Sequence, residues 1–258
     1  MRKARLLLVI TFILSILAIP VWASGPSVGL SADEALELLR LGNSRFVNGT
    51  PQHPYQNQER RTLTASEGQK PLAVVLACSD SRVPVEVIFD RGIGDIFVVR
   101  VAGNVAGVDE IGSIEYAGDH LGAPLLVVLG HSKCGAVTAV AENAPLHGSM
   151  PALGDKIKPA VEKAAKDNPG LSGEALVGPA IKDNVWQAME DLFHQSQIIR
   201  DRVKAGQLKV VGALYDIESG KVEWLGPHPA QDQLLGIAPP GAKPKGGPKK
   251  VKPKGEKS

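Results

Sequence analysis

The chain has 258 residues, 43% of them hydrophobic, 22% charged and only 4% aromatic, the composition of a soluble globular protein without the aromatic platforms that stack nucleic-acid bases. Its formal charge of +2 is concentrated at the ends, since residues 243–257 hold seven lysines against one glutamate and "MRKAR" adds three basic residues. The body between them is mildly acidic, which argues against a nucleic-acid-binding domain, and without the two ends roughly 210 residues remain, enough for one large domain or two small ones.

The chain opens with a basic n-region, an apolar stretch from Leu6 to Ile19, the helix breaker Pro20 and "VWA" before Ser24. This reads as a secretory signal peptide over residues 1–23, cut after Ala23. The apolar run is shorter than the roughly 20 residues of a spanning helix, so an uncleaved anchor fits it less well. Later apolar runs are strand-sized. The expectation is an exported protein, periplasmic or secreted, with no stable membrane span once the leader is cleaved; the leader carries no lipobox cysteine.

"SADEALELLRLGNSRFVNG" predicts a helix with Ser31 as N-cap, Glu34 at the capping-box position, Ala35, Leu38, Leu39 and Phe46 on one face, and Gly49 as its end. Residues 50–70, polar and interrupted by two prolines, read as a connecting arm with room for a helical turn, long enough to wrap a neighbouring subunit. Short apolar runs then alternate with helical stretches: "LAVVLAC", "PVEVIFD", "DIFVVRVAG", "IGSIEYAGDHLG", "APLLVVLGH" and "CGAVTAVAE". The strand-like runs are apolar on both faces, as parallel strands covered by helices are. Residues 145–184 read as a loop and a helix, and "NVWQAMEDLFHQSQIIRDRVKAG" as one amphipathic helix ending at Gly206. "LKVVGALYDIESGKVEWLG" follows as strand, turn at Ser219-Gly220 and second strand, an edge hairpin. The fold class is therefore α/β: a central, mostly parallel sheet flanked by helices over residues 24–236, with an N-terminal helical arm. Residues 237–258, rich in Lys, Pro and Gly, have too few apolar side chains to offset ordering and read as a disordered tail, solubilising or attracted to anionic lipid or cell-wall polymers.

Ligands of such sheets bind at the carboxyl ends of the strands, where both cysteines of the chain fall. Cys78 closes "LAVVLAC", and "GHSKC" supplies His131 and Cys134 after the next apolar run. Two sulfurs, an imidazole nitrogen and a carboxylate oxygen from Asp80 make a tetrahedral zinc set. A disulfide is the alternative for two cysteines in an exported chain, but it explains neither His131 beside Cys134 nor Asp80 and Arg82 beside Cys78. Asp80 and Arg82, two apart in "CSDSR", are placed for a bidentate pair. His53, His120, His147, His194 and His228 have no such neighbours and read as structural or solvated.

"CSDSRVP", "GDIFVVRVAGN", "SIEYA" and "GHSKCGA" together resemble the β-class carbonic anhydrase family over roughly Leu36 to Leu225. The resemblance implies zinc, one per subunit, held by Cys78, His131 and Cys134. Asp80 either binds the metal in a closed form or, paired to Arg82, orients a zinc hydroxide that converts carbon dioxide to bicarbonate and a proton. It further implies substrate-side roles for Gln69, Phe97, Ala102, Tyr116 and Gly135, with Gln69, Phe97 and Tyr116 completing a partner subunit's site in a homodimer or dimer of dimers. Val75 stands where a bicarbonate-inhibited subtype carries tryptophan, which leaves that inhibitory site without its tryptophan here. Two rivals keep the metal: a related heterocumulene such as carbon disulfide as substrate, and a closed, non-enzymatic zinc site with four protein ligands. Arg82 argues against the second, because a permanently closed site has no use for a competing partner of its carboxylate.

Overall fold

The computed structural model describes residues 29–237; the expected leader and the tail from residue 238 lie outside them. Helix α1 (Ala32–Val47) begins at the expected capping box, with the Ser31 hydroxyl accepting from the Glu34 N–H at 3.2 Å and Glu34 Oε2 accepting from the Ser31 N–H at 2.7 Å. Its face runs as read: Ala35 and Leu39 are fully buried, and Leu38 and Phe46 pack beside them. Asn48 ends it, with Gly49 following in the left-handed region.

The arm departs from expectation in holding a ten-residue helix, α2 (Gln58–Glu67), capped by the Asn57 side chain. None of its residues is buried, so the sequence carries no apolar stripe from which a helical period could be read. Ahead of it, the Gln52 and His53 N–H groups donate to the buried Asp90 carboxylate.

Strands β1 (Ala73–Ala77), β2 (Ile96–Arg100), β3 (Leu125–His131), β4 (Lys209–Tyr215) and β5 (Val222–Gly226) form one sheet in the order β2-β1-β3-β4-β5. The first four are mutually parallel, while β5 pairs antiparallel with β4 as the expected edge hairpin. Between the strands come α3 (Val85–Ile88), α4 (Val108–Glu115), a π turn at Tyr116–His120, α5 (Gly135–Ala141), α6 (Met150–Asp167), α7 (Glu174–Gln195) and α8 (Gln197–Lys204). Val74, Leu76, Leu126 and Val128 face Ile111 and Ile114 of α4 and Val185, Met189 and Leu192 of α7. Ala73, Val75, Ala77, Val127 and Leu129 face Ala35 and Leu39 of α1 and Val85 and Ile88 of α3. Burial on both faces is why every position of β1 and β3 is apolar or small until His131.

Two further boundaries need correction. The stretch read as a loop and a helix holds all of α6 and the start of α7, which begins at Glu174 and runs through Pro179. The long amphipathic helix is broken at Ser196, whose extended backbone ends α7 while its Oγ accepts from the Ile199 N–H to cap α8. That serine also donates to Glu115 Oε1, a contact that repays the break and has no local signal. Among the described residues, no helix is long and apolar enough to cross a membrane.

Candidate metal centre

The sheet order makes a switch point at the ends of β1 and β3. The chain leaves β1 toward α3 on one face and β3 toward α5 on the other, so the two adjacent strand ends open a crevice. Cys78 follows β1, His131 is the last residue of β3, and Cys134 is the N-cap of α5. The turn joining the last two places Lys133 in the left-handed region, φ 56°. The ligand atoms of Cys78, His131 and Cys134 lie within 4.8 Å of one another, and all three residues are buried.

The donor set fits a metal on chemical grounds. His131 Nδ1 lies 2.9 Å from the Ser132 carbonyl oxygen, which makes Nδ1–H the donor and leaves the Nε2 lone pair free. Nε2 is buried and has no hydrogen-bond partner within the protein, a costly arrangement unless a cation takes the lone pair. Both cysteines are free thiols rather than a disulfide. The two sulfurs are coupled: the Cys78 thiol is pushed down, chiefly because Cys134 donates to it, against the opposing effect of burial. Cys134 is pushed far up by the same bond and by burial. A divalent cation replaces the Cys134 proton and lets both sulfurs be thiolates.

Asp80 stands at the rim. Its Oδ1 accepts from the Arg82 N–H at 3.0 Å and from Nε at 2.9 Å, and Oδ2 accepts from Nη2 at 2.7 Å. These bonds to Arg82, first among several influences, hold the carboxyl well below the usual carboxylate range. Oδ2 is 3.9 Å from His131 Nε2, so an ionised oxygen borders the cluster. Arg82 Nη2 also donates to the Lys133 carbonyl at 3.2 Å, tying this rim to the loop of Cys134.

Ala102, in a tight 3-10 turn with Gly103 and Asn104, and Gly135, next to Cys134, flank the cluster. Gln69, Phe97 and Tyr116 do not join it within one subunit. Gln69 precedes β1 while Cys78 follows it, with a five-residue strand between, about 17 Å of chain. Phe97 pairs with Val74 near the opposite end of the sheet and packs on Tyr116 at 6.0 Å between ring centroids. Tyr116 is 46% exposed and stacks on His120. His228 is buried against Trp186 and Glu190, away from the cysteines' cluster.

Sequence reasoning left Arg100 and Asp216 unassigned. Arg100, at the end of β2, donates from Nε to the Cys78 carbonyl at 3.0 Å and from Nη2 to the Asp80 carbonyl at 2.6 Å. Its only signal is a charge closing the apolar run "IFVVR". Asp216 accepts from the Ser132 hydroxyl at 3.0 Å, and that hydroxyl accepts from the Ile217 N–H, so the hairpin end of β4 braces the residue that orients His131.

Fold and cluster together define an α/β metalloprotein with a two-thiolate, one-imidazole centre at the carboxyl edge of a parallel sheet. Residues 73–222 match the family model described as carbonic anhydrase. Carbonic anhydrase 2 of Mycobacterium tuberculosis is 43% identical over 192 residues, covering 72% of this chain and 89% of the relative. The carbonic anhydrase of Mycolicibacterium smegmatis is 39% identical over 193 residues, covering 73% and 91%. The solved β-carbonic anhydrase CcaA superposes with a TM-score of 0.58 at 30% identity, over 74% of this chain and 92% of that one. A tetrameric β-carbonic anhydrase of Sordaria macrospora gives 0.60 at 26% identity, over 66% and 87%. The chain belongs to the β-carbonic anhydrase family, and it is a zinc-dependent enzyme of carbon dioxide hydration.

Proposed function

We propose that this chain hydrates carbon dioxide with Asp80 and Arg82 as the pair that orients the attacking water, and that it does so as an exported homodimer or dimer of dimers. Cys78, His131 and Cys134 would hold the zinc, which would supply the acidification of water that makes a nucleophile near neutral pH. The remaining work falls to side chains of the protein. Asp80, kept ionised, can only accept hydrogen bonds. A water beside it turns a hydrogen to Oδ2 and leaves a lone pair for the carbon of the substrate. Arg82 bonds both carboxylate oxygens and so keeps Asp80 from joining Cys78, His131 and Cys134 as a fourth ligand. The two hydrogen bonds that the Arg82 guanidinium donates to the Asp80 carboxylate are the observation that carries the reading, and they disfavour a permanently closed four-ligand site.

Ala102 and Gly135 line the substrate side from within the subunit. Gln69, Phe97 and Tyr116 serve the site of a second copy: their distance from their own cluster and the exposure of Tyr116 support this. Export follows from the leader over residues 1–23, ahead of a catalytic unit at 24–236 and a lysine-rich tail; a mature N-terminus at Ser24 is the expected result of sequencing the exported product. The test of the pair is D80N. It should keep one zinc per subunit while hydration falls by about 10²-fold, the lower range for a positioned proton-handling group. Undiminished turnover with zinc in place would refute the assignment.

A further inference from the structure

The backbone amide that touches a metal-binding sulfur is itself held by a side chain from the helical layer. The Gly103 N–H donates to Cys78 Sγ at 3.3 Å. Gly103 sits at φ 74°, and its carbonyl accepts from Asn184 Nδ2 at 2.7 Å. The Asn104 N–H bonded to the Val101 carbonyl at 3.0 Å closes the other side of this turn. Asn184 lies in the middle of α7, 1% exposed, beside Ile181 and Val185 in the apolar core. An apolar residue would pack there without the desolvation cost of an amide, and the bond to Gly103 is what the asparagine gains in exchange.

We infer that Asn184 is a positioning residue of the metal centre: by fixing Gly103 it sets the N–H···S hydrogen bond to Cys78 and, through it, the charge that this thiolate donates to zinc. Hydrogen bonds to ligating sulfurs withdraw electron density from the metal, and partners beyond the ligands tune metal affinity and activity by about 10 to 100-fold. With the bond in place the metal stays a stronger Lewis acid, which offsets the electron-rich two-thiolate set. The inference rests on the zinc reading above.

The test is N184L in the full leaderless protein, compared with V185A, the next residue of α7, which packs against the sheet and makes no bond to Gly103. Each is loaded with cobalt(II) for spectroscopy and with zinc for turnover. N184L should move the thiolate-to-cobalt charge-transfer band to longer wavelength, lower kcat about 10-fold and shift the pH midpoint of kcat upward. V185A should lose thermal stability with band and midpoint unmoved. If N184L does not fold, N184S, which leaves the bond to Gly103 unmade with a smaller change in α7, carries the same expectation. A band and midpoint identical to those of the unaltered protein in the folded variant would overturn the inference. An unaltered protein that binds neither metal would instead overturn the zinc reading, and the inference with it.

Discussion

Adding one methyl group at Gly103 tests the packing that holds the cysteine loop. A Cβ there would lie 2.6 Å from Ile157 Cδ1 and 3.3 Å from its Cγ1, and Ile157 is only 1% exposed, so it has little room to turn away. The residue would also sit at φ 74°, where a side chain costs about 1 to 2 kcal/mol. Overpacking a buried position adds about 1 to 3 kcal/mol. G103A should therefore lose about 2 to 5 kcal/mol, which for a domain of this size lowers Tm by roughly 4 to 20 °C. Gly112 provides the opposite case, since it is exposed in α4 and an added Cβ meets nothing within 4 Å. G112A should gain about 0.4 to 1 kcal/mol by restricting the unfolded chain. Calorimetry of the zinc-loaded variants at one protein concentration makes the comparison, because assembly shifts Tm with concentration. G103A melting within 2 °C of G112A would refute the reasoning.

Three further outcomes follow from the same geometry. R100L removes both donors from the Cys78 and Asp80 carbonyls and should cut hydration and speed zinc loss to a chelator by about 10-fold or more, whereas R100K, with one compact donor, should recover only part. H131A, deprived of the imidazole ligand, should lose stoichiometric zinc and with it essentially all turnover, read by metal analysis and stopped flow on one sample. Burial holds His228 below its ordinary value of 6.5 despite the opposing effect of Glu190, and its Nδ1 already accepts from the Ala230 N–H. The unfolded chain therefore takes up this proton first, and stability should fall as pH drops below about 6.5. Hydrogen exchange of residues 227–236 should quicken over that window, and H228Q should flatten the response.

What the sequence makes legible is what local signals encode. The capping box at Ser31 and Glu34, the doubly apolar strands, and Cys78, His131 and Cys134 at strand ends all need only neighbouring residues to be recognised. Helix α2 escapes because none of its residues is buried, and the division between α6, α7 and α8 because Pro159 and Pro179 lie inside helices while the break falls at Ser196. Arg100 reaches back 22 residues to Cys78, Asn184 reaches 81 to Gly103, and Asp216 reaches 84 to Ser132. Such bonds come into being only when the sheet order brings their partners together, so no window of sequence contains them. The residues of the candidate centre are thus readable in the chain, and the bonds that position them become visible only in the fold.

The most direct test of zinc-dependent hydration is stopped-flow measurement of carbon dioxide conversion by the leaderless protein, with zinc counted on the same sample and the assay repeated after chelation and after zinc is restored. The expected result is one zinc per subunit, with turnover that rises with pH, is blocked by small anions, vanishes with the metal and returns with it. Full zinc occupancy without hydration at any pH between about 6 and 9, around the neutral range in which a zinc-activated water ionises, would contradict it.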